Sequence, residues 1–168
     1  MPPAGHAPPL PNYERMLRLA DEFFSAKNDP DQLNVTPEIM DRLKRIHPET
    51  LSDYCTPEGP VVWILVIPTT YAVMERFLKK EINEPELLDL TPVPGVYDAL
   101  YLCSALVLPE FRKQGLAAKV TVEAIASVGR DHPIKTLFYW AFSEEGRRLG
   151  EAVSRSAGLP LLLRPAGK

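Results

Sequence analysis

The segment Leu106-Val107-Leu108-Pro109-Glu110-Phe111-Arg112-Lys113-Gln114-Gly115-Leu116-Ala117-Ala118 constrains this chain more than any other. It reads as an apolar strand closed by Pro109, a short turn, and a glycine-containing loop that opens a helix. A loop entering a helix in this way points several backbone N–H groups at one place. Those donors lack partners inside the helix, and the helix dipole adds partial positive charge there. The natural guest is an anion, most often a phosphate. Gly115 lets the backbone approach a guest closely, and Ala117 and Ala118 are small enough not to block it. Arg112 and Lys113 add cationic side chains at the mouth. Without a guest, the same pattern is an ordinary strand, turn and helix with a basic first turn.

The periodicity continues on both sides. Leu116, Val120, Ala124 and Val128 share one helical face, with Gly129 as a plausible stop. Lys135 to Phe142 reads as the next strand, and Ser143 caps a helix through Ala157 with Glu144 and Glu145 in its first turn. Gly158 ends that helix, and Leu159 to Leu163 reads as a final strand. Upstream, residues 1–11 carry five prolines and read as an extended, poorly ordered tail, with a single domain over 12–168. Tyr13, Met16, Leu17, Ala20, Phe23 and Phe24 fall on one helical face. Asn28 to Asn34 is a turn-rich break. Thr36-Pro37 starts a second helix with Ile39, Leu43 and Ile46 as its stripe. Val61 to Ile67 is a continuous apolar run between Gly59-Pro60 and Pro68, as expected of a central strand buried on both faces. Thr70 caps a helix with Tyr71, Met74, Phe77, Leu78 and Ile82 on its apolar side. Glu84 to Gly95, with three prolines and several acidic residues, reads as a loop.

Arg112-Lys113-Gln114-Gly115-Leu116-Ala117 resembles motif A of the GNAT superfamily of N-acetyltransferases, which has Arg or Gln, two residues, Gly, one residue, then Gly or Ala. The run Tyr101 to Leu108 looks like the strand preceding it in that family. The likeness covers about Ala99 to Gly158; the first 98 residues are not diagnostic. It implies an α/β (α+β) fold, a GNAT-like mixed central β-sheet flanked by helices, here with a helical insertion before the motif strand. It also implies that backbone groups of Leu106 and Val107 hydrogen-bond the pantetheine arm of acetyl-CoA. The N–H groups of Lys113, Gln114, Gly115, Leu116, Ala117 and Ala118 then hold its pyrophosphate. The first two helices of that family flank the acceptor site; otherwise they merely cover one face of the sheet. The stretch 70–97 becomes an insertion near the acceptor side.

Composition narrows the alternatives. The chain has 168 residues, 45% of them hydrophobic, enough for a sizeable core. A net charge of −3 and a pI of about 5.7 argue against a nucleic-acid binder. Cys55 and Cys103 suggest neither a disulfide framework nor a zinc site, and no metal is expected. Cys103 sits in an apolar strand, where a packed thiol is expected. No window approaches the length of a membrane span and no signal peptide is recognisable, so a cytoplasmic protein is expected. Exposed strand edges make a homodimer plausible.

Acetyl transfer to an amine needs a neutral amine, a donor for the developing oxyanion, and help for the leaving thiolate. Many members of the resembling family carry a Tyr as that acid, four residues before the Gly ending the last helix; here the position is Ser154. A serine hydroxyl is a poorer acid than a phenol but still donates a hydrogen bond. An Asn often found seven residues before that Tyr is Arg147 here, and Arg147 and Arg148 either reach phosphates or form a solvated face. Tyr139, on the strand after the motif, offers a hydrogen-bond donor or an orienting group for water. No strand position offers an obvious carboxylate base, Glu110 reads as solvated, and His6, His47 and His132 show no partner pattern. The resulting expectation is an acetyl-CoA-dependent N-acetyltransferase for a small amine or a protein amine, by direct attack on the thioester. The alternatives are an acyl-CoA sensor or assembly module without catalysis, and a different phosphate ligand in the same loop. The last lacks the Lys-Ser/Thr ending of a P-loop and the third Gly of a dinucleotide fingerprint.

Overall fold

A computed structural model describes residues 11–27, 29–140 and 143–165. Of the tail read over residues 1–11, Pro11 begins the first helix; residues 1–10, His6 among them, the side chain of Phe24 and Phe142 lie outside the described residues. In chain order the elements are α1 (Pro11–Lys27), α2 (Pro37–Ile46), β1 (Leu51–Thr56), β2 (Gly59–Thr69), α3 (Tyr71–Leu78), α4 (Glu84–Leu90), β3 (Ala99–Val107), α5 (Leu116–Asp131), β4 (Thr136–Trp140), α6 (Glu144–Ala157) and β5 (Leu161–Arg164).

The five strands form one sheet in sequence order. β1–β2 and β2–β3 are antiparallel, while β3–β4 and β4–β5 are parallel. The parallel pairs are joined by α5 and α6, because a parallel crossover needs a long connection that a helix supplies. This is the mixed sheet flanked by helices expected from the sequence. β2 is buried along nearly all of its eleven residues, as its unbroken apolar run requires.

Helices cover both faces. Met16 of α1, Val120 and Ala124 of α5 and Val153 of α6 pack with Ile64, Val66, Leu100 and Leu137 on one side. Leu43 of α2, Phe77 of α3 and Leu87 of α4 pack with Ile67, Tyr101 and Phe138 on the other. So α1 and α2 lie on opposite faces rather than together. Phe77 is central to the second face, with its ring 4.8 Å from Tyr101 and 5.9 Å from Phe138. Burying such a side chain contributes about 1.5–3 kcal/mol.

The caps follow the sequence. The Thr36, Thr70 and Ser143 hydroxyls accept from the N–H groups of Ile39, Val73 and Gly146. Two expectations need correction, and one element had no reading: Leu51–Thr56 forms an edge strand that its mixed polarity concealed. The stretch from Glu84 is not all loop: Asn83 and Glu86 form a reciprocal capping box that starts α4. Its Pro85 falls in the first turn, where a missing N–H breaks nothing. Gly129 does not stop α5, whose last turn is held by the buried Val128 and by Asp131 bonded to His47. No helix among the described residues is long and apolar enough to cross a membrane.

Candidate functional site

β3 has nine residues, but only Ala99 to Leu102 pair with β4, opposite Thr136 to Tyr139. Beyond Leu102 the two strands part. The pairing with β2 slips at the same place: Val66 opposes Leu102, yet Leu65 opposes Ser104, leaving Cys103 as the extra residue of a bulge. A bulge bends its strand and increases local twist, which carries the second half of β3 away from β4. β4 ends at Trp140, and Ser143 caps α6. The gap between the strands is a cleft of 840 Å³. It is walled by β3, by the start of α5 and by α6, with Leu19 and Phe23 of α1 closing one side.

The open edge of β3 presents backbone groups to this cleft. The Leu108 N–H donates to the Val61 carbonyl at 3.0 Å. Alternation along an antiparallel strand therefore turns the N–H and C=O of Leu106 toward β2, and those of Ala105 and Val107 toward the cleft. The expectation for Leu106 is corrected accordingly: its backbone belongs to the sheet, and Ala105 takes the edge position. Val107 faces the cleft, but its carbonyl already accepts from Arg112 Nε at 3.0 Å.

The loop after β3 is tightly wound. Pro109–Phe111 forms a single 3₁₀ turn. Lys113 has φ +62° and Gly115 φ +75°, so two of three successive residues lie in the left-handed region. For Gly115 this is free of side-chain strain. For Lys113 it costs about 1–2 kcal/mol, a strain found preferentially where function over-determines the backbone. Among the described residues, no hydrogen bond within the protein takes the N–H of Lys113, Gln114, Gly115, Leu116, Ala117 or Ala118; the first such bond runs from Lys119 to the Gly115 carbonyl. A Cβ built on Gly115 meets no atom within 4 Å. Lys113, Gly115, Leu116, Ala117 and Ala118 all line the cleft. Six donors, a helix N-terminus and two exposed cations thus meet at its mouth.

Neighbouring side chains hold the loop. Arg15 of α1 grips Glu110 through two bonds of 2.7 Å, so Glu110 is paired rather than merely solvated. The Arg15 guanidinium holds the Glu110 carboxyl down at about 2. Gln114 folds its side chain back onto the Glu110 carbonyl at 3.1 Å, leaving only its backbone for a guest. Arg147 is tied to Glu144 and Glu151 on its own helix; Arg148 also pairs with Glu144, at 3.4 Å, and lines the cleft.

The two residues considered for catalysis fall in different places. Tyr139 is 7% exposed and lines the cleft where β4 separates from β3. No hydrogen bond to another described residue engages its hydroxyl, and burial raises its pKa, so it stays a neutral donor. Ser154 lines a smaller hollow behind Tyr139 instead of the cleft. Its hydroxyl donates to the Leu159 carbonyl at 2.6 Å, closing the end of α6. His47 and His132 do have partners: His47 Nε2 lies 2.7 Å from Asp131, its Nδ1 accepts from the Glu49 N–H, and His132 Nδ1 accepts from the Tyr97 N–H. They sit at the far end of α5, whose 16 residues span roughly 24 Å, and take no part in the cleft. Among the described residues no group of three or more His, Cys, Asp or Glu is placed to hold a metal ion.

Three contributors were not assigned to the site from the sequence: the Ala105 edge, the α1 wall, whose apolar face was read without placing it here, and Glu84. The Glu84 carboxylate accepts from Tyr101 and, at 3.6 Å, from Cys103, which lines the cleft. Its only trace in the sequence is a pair of polar side chains two residues apart on one strand face.

No protein-family model and no curated protein matches the chain. Among solved structures, a crystal structure of AtaTR bound with AcCoA overlaps it with a TM-score of 0.40 at 14% identity, over 74% of this chain and 77% of that one.

Proposed function

We propose that this chain is an acetyl-CoA-dependent N-acetyltransferase of the GNAT type, acting on a small amine or an amine of another protein. The observation that carries the reading is the row of N–H groups from Lys113 to Ala118, without acceptors in the protein, at the mouth of a cleft opened by two parting strands. Such a row suits a diphosphate, and the exposed edge of β3 suits an amide-bearing arm running from it toward the sheet. Acetyl-CoA has both parts and would bring the activated acyl group.

The chain's own residues then act mainly by placement. Lys113 to Ala118 bind the diphosphate by main-chain donors, with Arg112, Lys113 and Arg148 adding positive charge. The Ala105 N–H, the Ala105 C=O and the Val107 N–H orient the arm along the β3 edge. Tyr139 stands at the apex of the cleft as a neutral donor for the developing oxyanion or the leaving sulfur. Holding an amine against the thioester in this geometry supplies up to about 7–11 kcal/mol of the barrier reduction, so a weak acid at the apex is tolerable.

A second reading, an acyl-CoA sensor without turnover, is favoured by one observation: the Ser154 hydroxyl is committed to Leu159. Calorimetry with acetyl-CoA followed by thiol-release assays across an amine panel separates the two. Binding with amine-dependent thiol release supports the transferase. Binding without release under any amine supports the sensor, and no binding removes both.

A further inference from the structure

Glu84 is the only Asp or Glu among the described residues that is more than nine-tenths buried. A carboxylate in such a place is unfavourable unless it is thoroughly bonded. Here Oε1 accepts from the Leu33 N–H at 2.7 Å, and Oε2 accepts from the Tyr101 hydroxyl and the Cys103 thiol. The Glu84 N–H donates to the Asp31 carbonyl, and Asn83 reaches the Asp31 side chain, so the loop before α2 and the start of α4 lock together around this group. From β5, Arg164 brings a buried guanidinium, stacked between Phe77 and Trp140 and bonded to the Phe77 and Ile82 carbonyls. Burial and the Glu84 charge hold the Tyr101 pKa well above its ordinary value, so Tyr101 remains a donor to the carboxylate.

This cluster meets the cleft at one point. Cys103 occupies the bulge where β3 leaves β4 and lines the cleft, while its sulfur touches Glu84. Half-buried Cys103 therefore links the cleft to the Glu84 carboxylate on the side of α2, α3 and α4.

We propose that Glu84, acting through Cys103, takes the proton of the acceptor, and that the acceptor is an alkylammonium, an amine that arrives protonated at neutral pH. This rests on the transferase reading above. An N–H proton passes to the Cys103 sulfur as the thiol proton passes to Glu84 Oε2. The freed nitrogen lone pair attacks the thioester carbon; a C–N bond forms, the C–S bond breaks, and the thiolate takes the second nitrogen proton. Glu84 returns its proton to solvent. Cys103 is the group that meets the amine; Glu84 touches neither reactant and is a positioning residue. The charges around it are Asp31, Tyr101, Cys103 and Arg164, with Glu86 exposed on its own helix.

The test compares wild type, Glu84→Gln and Cys103→Ala with two probes, benzylamine, protonated at neutral pH, and aniline, neutral there. Acetyl-CoA binding is followed by calorimetry alongside. With benzylamine, kcat/KM falls about 100-fold or more in both variants, and its rise with pH shifts toward the ionisation of the free amine. With aniline the loss in each variant is at least tenfold smaller than with benzylamine, because no proton has to be removed beforehand. If Glu84→Gln does not fold, Cys103→Ala alone carries the comparison. An unchanged pH profile with benzylamine, or equal losses with both probes, overturns the proposal while leaving the transferase standing. Acetyl-CoA binding with no thiol release from wild type with either probe overturns the proposal and the transferase reading together.

Discussion

Substitution at Gly115 separates backbone strain from charge at the mouth of the cleft. Gly115 has φ +75° and ψ 8°, and a Cβ there meets nothing within 4 Å. The stability cost of Gly115→Ala is therefore backbone strain alone, about 1–2 kcal/mol. For a chain of this length that lowers Tm by roughly 2–8 °C. Gly115→Glu carries the same strain and the same loss. Gly115→Asn, which tolerates this backbone conformation, loses less. Binding divides the three differently. A carboxylate about 5 Å from one phosphate charge costs about 3 kcal/mol at an effective dielectric of about 20, and about 0.8 kcal/mol in bulk water. The loop is exposed, so a value of about 1–2 kcal/mol applies, or roughly 5–30-fold in Kd for acetyl-CoA between the Ala and Glu variants. Calorimetry at low and high salt measures it, and the gap narrows as salt screens the repulsion. Equal affinities for the Ala and Glu variants, or a gap indifferent to salt, would refute a diphosphate at this loop.

Three further outcomes follow from the geometry. The Glu110 carboxyl titrates at about 2 beside Arg15. Its depressed value means that the ion pair favours the folded state above the ordinary carboxylate range and is lost as pH falls through about 2. Carbon-detected NMR of Arg15→Ala should return the midpoint to the ordinary range, and an unmoved midpoint would show that Arg15 is not the cause. Ser154→Ala removes the bond to Leu159 and should cost about 0.5–1.5 kcal/mol of stability, read by urea unfolding, with acetyl-CoA affinity unchanged. A tenfold affinity loss would instead put Ser154 at the cofactor. In a Cys55→Ser background, iodoacetamide should label Cys103 in the free protein and label it more slowly with acetyl-CoA bound. Identical labelling rates would place the ligand elsewhere.

Local pattern was enough for most of the elements and for a glycine loop with free N–H groups. Continuous apolar residues from Val61 to Ile67, caps at Thr36, Thr70 and Ser143, and Gly158 ending α6 are signals carried within a few residues, because hydrogen-bond satisfaction and side-chain period act at that range. The same holds for Arg112 to Ala118, whose donors belong to one turn of chain. Leu51–Thr56 and α4 were hidden for opposite reasons. The edge strand has no apolar stripe of its own, and the prolines around Glu84 look like breakers until Pro85 is seated in a first turn.

What the linear chain determined, then, is a set of strands and helices and a glycine loop with unsatisfied donors. Tertiary structure alone decided that β3 and β4 separate after Leu102, that Ala105 rather than Leu106 faces the gap, that Ser154 turns into its own helix end, and that Glu84 comes to lie behind Cys103. Each of those depends on contacts between residues distant in the chain, Glu84 with Leu33 and Cys103, Arg15 with Glu110. Such contacts leave no mark on local periodicity, since the free energy that fixes them comes from burial and bonding that exist only once the sheet has assembled.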